Sequence, residues 1–208
     1  MLKLSEHNTY IFSDPHAYHK NIIKSLSSWD PEHLGTLRDF KSIEHMNSVL
    51  IDGINSRVGK NDTLICLGDW SFGGFEKIAL FRNMIVCDNI HMFLGNHDHH
   101  IENNREGVRS LFSSVSHYGK LETKSLSGVR HNFVLCHFPI ASWDGLKKGV
   151  MHLHGHEHFT GDKRFGNGKQ MDVGIDGGVD YKPYSMKEVI ELIVDRPTLS
   201  MYENSHHH

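Results

Sequence analysis

The chain has 208 residues, 38% hydrophobic, 23% charged and 10% aromatic, a balance that excludes collagen-like, disordered and coiled-coil chains and suffices for one sizeable core. Its 22 Lys and Arg against 25 Asp and Glu leave a net charge of −3, so no broad positive field exists to hold nucleic acid without sequence preference. No apolar run reaches the roughly 18 residues of a membrane span, and residues 1–7 lack a signal-peptide core, so a cytoplasmic protein without a membrane partner is expected.

In chain order, short β-rich runs alternate with helix-period segments, and each run stops at residues that can hold a metal or a proton. Residues 9–12 (Thr-Tyr-Ile-Phe) lead into Ser13, Asp14, Pro15 and His16. Phe40, Ile43, Met46, Leu50, Ile54 and Val58 then recur at three- and four-residue spacing, which predicts an amphipathic helix. Residues 63–67 end in Gly68 and Asp69, and Ile78, Leu80, Phe81 and Met84 predict a shorter helix. Residues 90–94 end in Gly95, Asn96, His97 and Asp98, and residues 132–136 end in His137. A histidine-rich segment follows: Met151-His152-Leu153-His154-Gly155-His156-Glu157-His158. Ser185 with Glu188 reads as a capping box that opens a last helix through Val189, Ile190 and Leu192, stopped before Pro197. No linker or repeat interrupts the pattern, so residues 1–204 are expected to form a single α/β domain. Residues 205–208, ending in His206, His207 and His208, read as the remnant of a purification tag. Cys66, Cys87 and Cys136 lack C-x-x-C spacing and are expected as buried thiols.

Ligands of open α/β sheets gather outside the carboxyl ends of strands, so these clusters are expected to converge on one crevice. Together they offer Asp14, His16, Asp69, Asn96, His137, His156 and His158. That is too many donors for one ion and suits two that share a carboxylate, for which Asp69 is the natural bridge. Imidazoles mixed with carboxylate and amide oxygens favour two divalent transition-metal ions, manganese first, with iron, zinc, cobalt or nickel as alternatives. Two such ions, the Asp14 and Asp69 carboxylates and a bridging hydroxide leave a net positive charge that attracts phosphate. The pair can stabilise both the attacking and the leaving oxygen of an in-line displacement, so hydrolysis of a phosphate ester is expected. His97, beside Asn96 and with Asp98 to hold one ring nitrogen, is the candidate general acid.

The ordered set Asp14-x-His16, Gly68-Asp69, Gly95-Asn96-His97-Asp98, His137 and Gly155-His156-x-His158 closely resembles the calcineurin-like metallophosphoesterase superfamily. The resemblance implies a four-layer αββα fold: two mixed β-sheets packed face to face and flanked by helices. It implies one metal held by Asp14, His16, Asp69 and His158, a second held by Asp69, Asn96, His137 and His156, and His97 with Asp98 as the acid and its partner. Residues 13–23, 67–73 and 137–140 look like the small stand-alone bacterial and phage members. The Arg that the superfamily's protein phosphatases carry after the bridging Asp is missing from Trp70-Ser71-Phe72-Gly73-Gly74, which argues against that activity. The expected function is a dinuclear metal-dependent phosphoesterase cleaving a small phosphate mono- or diester, with a nucleotide as the substrate class. A nuclease acting on longer nucleic acid, or a catalytically silent interaction scaffold, is the alternative. Candidate substrate contacts are His19, three residues past His16; His154, alternating with His156; and Trp143 and Lys147, where an aromatic beside lysines suits a base plus a phosphate.

Overall fold

The computed structural model describes residues 1–29 and 37–199; the tag-like residues 205–208 lie outside the described residues. Its strands are β1 (Leu2–Ser5), β2 (Thr9–Phe12), β3 (Thr63–Cys66), β4 (Asn89–Phe93) and β5 (Ser114–Ser116). They continue with β6 (Tyr118–Lys124), β7 (Arg130–Cys136), β8 (Met151–His154), β9 (Gln170–Asp172) and β10 (Tyr184–Ser185). The helices are α1 (Ile43–Asn55), α2 (Gly74–Met84), the single turn α3 (His99–Glu102) and α4 (Met186–Ile193). One sheet has the order β10-β2-β3-β4-β5 and is parallel except for β10; the other has the order β1-β6-β7-β8-β9 and is parallel except between β6 and β7.

Alternating side-chain direction along the strands explains the layers. Ile11, Ile65 and Phe93 of the first sheet face Leu121, Phe133, Leu135, Leu153 and Met171 of the second in one buried apolar layer, which Val189 and Ile193 of α4 extend. On the opposite face of the first sheet, Leu64, Cys66, Ile90 and Met92 pack under Met46, Leu50 and Ile54 of α1 and Ile78 and Phe81 of α2. Each such side chain, fully buried, contributes about 1.5–3 kcal/mol. The two-sheet α/β architecture expected from the sequence is the one the chain adopts.

Local chemistry sets the helix ends. Ser42 accepts a hydrogen bond from the His45 N–H and starts α1 at Ile43, so Phe40 packs from outside the helix. The Ser185 and Glu188 capping box forms as expected and opens α4. All three cysteines are free thiols; Cys66 and Cys87 are buried and Cys136 is half-buried. Among the described residues no helix is long and apolar enough to cross a membrane.

Candidate metal centre

The segments leaving β2, β3 and β4 meet those leaving β7, β8 and β9 along one edge of the sandwich. Backbone pairing continues past the strands: the Asp14 N–H donates to Gly68 O and the His16 N–H to Asp69 O, both at 3.0 Å. Ser13 bridges Gly174 and so ties the two sheets together. The seven expected ligands thereby come within reach of one another. Asp14 Oδ1 lies 3.8 Å from His16 Nε2 and 3.9 Å from His158 Nε2, and the two Nε2 atoms are 3.1 Å apart. A second group has Asn96 Oδ1 3.0 Å from His137 Nε2 and 2.9 Å from His156 Nδ1. Asp69 Oδ2 stands between them, 3.5 Å from His16 Nε2 and 3.6 Å from His137 Nε2.

These separations fit divalent cations, because donors held about 2.0–2.2 Å from one ion lie roughly 3–3.5 Å from each other. Asp14 Oδ1 is buried without a hydrogen-bond partner, a costly state for a carboxylate oxygen unless it meets a cation. Burial pushes the Asp14 carboxyl up to about 6, opposed by His158 and reinforced by the Asp69 charge; a cation would reverse that shift. Burial also holds His16 well below its ordinary value, which keeps a bare ring nitrogen for ligation. Two overlapping groups with metal-ligand spacing result, Asp14 with His16 and His158, and Asp14 with Asp69 and His137.

The backbone is strained where the ligands sit. Asp14 (φ 57°), His16 (48°), Asp69 (56°), His156 (75°) and His158 (53°) all occupy the left-handed region, which costs non-glycine residues on the order of 1 kcal/mol each or more. Concentrated at the candidate ligands, this strain marks a site that its surroundings over-determine. Gly68 (φ 111°) permits the turn after β3, and a Cβ there would strike the His137 ring and Gly95. A Cβ on Gly155 would collide with Ser13 Oγ and Asp14 Oδ2. Side chains complete the frame: Asp69 Oδ1 accepts from the His97 N–H and Asp14 Oδ2 from the His156 N–H, both at 2.9 Å.

Asp98 belongs to this frame, which corrects its expected pairing with the His97 ring. Its carboxylate, 3% exposed, accepts from the backbone N–H groups of Asp69 (2.7 Å), Gly95 (2.8 Å) and Trp70 (2.9 Å). It therefore locks the turns after β3 and β4 together. Burial pushes its carboxyl up to about 6 against those donors. The His97 ring is instead exposed at the mouth of the site, with its centroid 5.5 Å from that of His16 and 5.1 Å from that of Phe72.

Two further residues, absent from the sequence motifs, buttress the centre. Arg38, 2% exposed, donates to Asp14 O (2.6 Å), Pro15 O (2.7 Å) and both carboxylate oxygens of Asp176 (2.7 and 2.8 Å). Asp176 Oδ2 lies 2.9 Å from His158 Nδ1, which directs the other nitrogen of that ring toward Asp14. Burial would raise the Asp176 carboxyl, but Arg38 and His158 hold it well below the usual carboxylate range. A carboxylate behind a ligating histidine fixes its tautomer and raises its basicity. Asp176→Ala is therefore expected to weaken manganese binding about 10–100-fold in a calorimetric titration; unchanged affinity would separate Asp176 from the centre. A sequence signal existed for Asp176, which follows the β9 run just before Gly177 and Gly178 and so repeats the strand-then-ligand pattern. Arg38 had none.

Of the four expected substrate contacts, His19 lines the cleft, its ring stacked on Phe72 at 3.8 Å and 8°. The other three lie elsewhere. Trp143, 7% exposed, packs with Val134 and Leu146 on the outer face of the second sheet and donates its ring N–H to Val150 O. Burial of that indole draws its segment against the sheet instead of over the site, and Lys147 points to solvent from the turn Leu146–Lys148. His154 is buried beside His152, with Nδ1 2.9 Å from Gly155 O, because strand alternation turns it away from the face of Leu153.

Paired mixed sheets that bring Asp, His and Asn donors to the carboxyl ends of their parallel strands define a metallophosphoesterase fold with a candidate metal centre. The chain belongs to the calcineurin-like phosphoesterase family, whose model matches residues 7–181. It is 27% identical over 194 residues to the uncharacterized protein MJ1445 of Methanocaldococcus jannaschii, covering 91% of this chain and 93% of that protein. It is 27% identical over 207 residues to the Gene 66 protein of Mycobacterium phage D29, covering 90% and 96%. The solved structure of AQ665, a protein of unknown function from Aquifex aeolicus, matches with a TM-score of 0.62 at 22% identity, covering 89% of this chain and 98% of that one; this is a likeness of fold.

Proposed function

We propose that the protein is a dinuclear metal-dependent phosphoesterase that hydrolyses a small phosphate mono- or diester, with nucleotides as the substrate class. The observation that carries this reading is the position of Asp69 Oδ2 between His16 Nε2 and His137 Nε2, where one carboxylate oxygen serves two donor groups. Asp14, His16, Asp69 and His158 would hold one ion, and Asp69, Asn96, His137 and His156 the other. Bound there, two divalent ions, manganese first, would supply Lewis acidity toward the phosphoryl oxygens and a nucleophile at neutral pH. His97, at the mouth, donates a proton to the leaving oxygen, and its backbone is fixed to the shared Asp69 carboxylate. Among the described residues lining the cleft of about 200 Å³ there is no Lys or Arg, which favours a small ester over a nucleic-acid strand.

The test is hydrolysis of a chromogenic phosphate monoester and its diester counterpart by manganese-loaded protein. Metal-dependent turnover of at least one, lost on chelation, is expected, and the faster of the two assigns the ester class. Silence on both, with manganese bound, would leave a selective enzyme or a scaffold, and silence on nucleoside monophosphates as well would overturn the hydrolase reading in favour of the scaffold.

A further inference from the structure

The cleft has two ends of different chemistry. One carries the candidate ligands; the other is lined by Ile22, His19 and Trp29. The Trp29 ring stands edge-on to His19, with centroids 5.5 Å apart and an interplanar angle of 69°, and His19 in turn lies flat on Phe72. The His16 ring is 5.5 Å from His19, so two ring-to-ring steps lead from a candidate ligand to the indole. Of the three tryptophans, Trp70 and Trp143 are buried, whereas Trp29 is 44% exposed. Braced by a neighbour and open to the cleft, it offers an aromatic surface for a ring to cover.

His97 tells which part of a substrate would lie there. Its ring centroid is 5.5 Å from His16, 6.3 Å from His19 and 5.1 Å from Phe72, at the junction of the two ends. A general acid protonates the leaving oxygen, so the leaving alcohol extends from the ligand end past His97 toward the aromatic end. The described residues lining that end carry no cation to hold a second phosphate, and an apolar, aromatic seat suits a neutral ring.

We infer that Ile22, His19 and Trp29, backed by Phe72, seat the base of a nucleoside monophosphate whose single phosphate reaches the metal centre; this rests on the phosphoesterase reading above. In the reaction, the oxygen of water bonds to phosphorus and the ester P–O bond breaks. The nucleoside departs with a proton on its 5′ oxygen, and inorganic phosphate is released.

The experiment compares kcat/KM for adenosine 5′-monophosphate and ribose 5-phosphate, which share a primary alkyl leaving oxygen and differ in the base, using the manganese-loaded full chain. Stacking on an aromatic side chain predicts a preference for the nucleotide of about 10-fold or more. In Trp29→Ala and Phe72→Leu the ratio is expected to fall toward unity. In the metal-free protein, adenosine is expected to quench tryptophan emission saturably, and Trp29→Ala to abolish that quenching. Hydrolysis of both esters at equal kcat/KM, or a preference that both variants retain, would overturn the seat and leave the phosphoesterase reading standing. Saturable quenching by adenosine without hydrolysis of either ester would uphold the seat and overturn that reading.

Discussion

Asp69→Asn is expected to lower kcat/KM about 10³-fold or more while the protein stays folded. The side chain is isosteric, asparagine tolerates the left-handed backbone at this position, and its amide oxygen can still accept from the His97 N–H. What changes is the atom facing His16 Nε2 and His137 Nε2: an amide nitrogen replaces a charged acceptor, and no single atom can then serve both donor groups. Losing a shared ligand removes several kcal/mol of transition-state stabilisation, hence the size of the loss. In the metal-free protein the substitution also removes the Asp69 charge that raises the Asp14 carboxyl. The melting temperature without metal should therefore hold or rise, while the increase on adding manganese shrinks. Substantial retained turnover, with manganese still bound at two ions per chain, would dismiss Asp69 as the bridge.

What the sequence made legible follows from which interactions are local. β2, β3, β4 and β7 could be read as short β-rich runs, and their ligand residues from lying within four positions of a strand end; parallel pairing then carries Asp14, Asp69 and Asn96 to one edge, and the packing of the second sheet against the first brings His137 to them. Asp176, within four positions of the end of β9, repeats this pattern, but its pairing with Arg38 spans 138 residues, and Arg38 follows no motif. Trp143 misled because an aromatic beside lysines describes a pocket as well as a satellite core, and only burial against Val134 decides between them. For Asp98 the difficulty was direction. Which neighbour a turn residue's carboxylate meets depends on backbone torsions that its identity does not encode, and here it meets three N–H groups across two turns instead of the adjacent ring. Trp29, a candidate part of the substrate cleft, carried no sequence signal because its ring contact with His19 is set by the tertiary fold and not by their spacing.

That placement of Asp98 lets the general-acid role of His97 be tested cleanly. His97→Ala removes an exposed ring, which typically changes stability by no more than about 0.5 kcal/mol, so a loss of rate is a loss of chemistry. For an alkyl phosphate, whose leaving oxygen must be protonated, the expected loss is about 10²–10⁴-fold. For a nitrophenyl phosphate, which departs as a stable phenolate, it should be about 10-fold or less, and equal losses on both esters would remove His97 from the acid role. If Asp98 oriented His97, Asp98→Asn would reproduce the same dependence on the leaving group. The hydrogen bonds to Asp69, Trp70 and Gly95 lead to a different expectation: an amide N–H facing backbone N–H groups loosens the turns that carry Asp69 and Asn96. Asp98→Asn should therefore lower the melting temperature and slow both esters alike, separating the residue that frames the centre from the one that moves the proton.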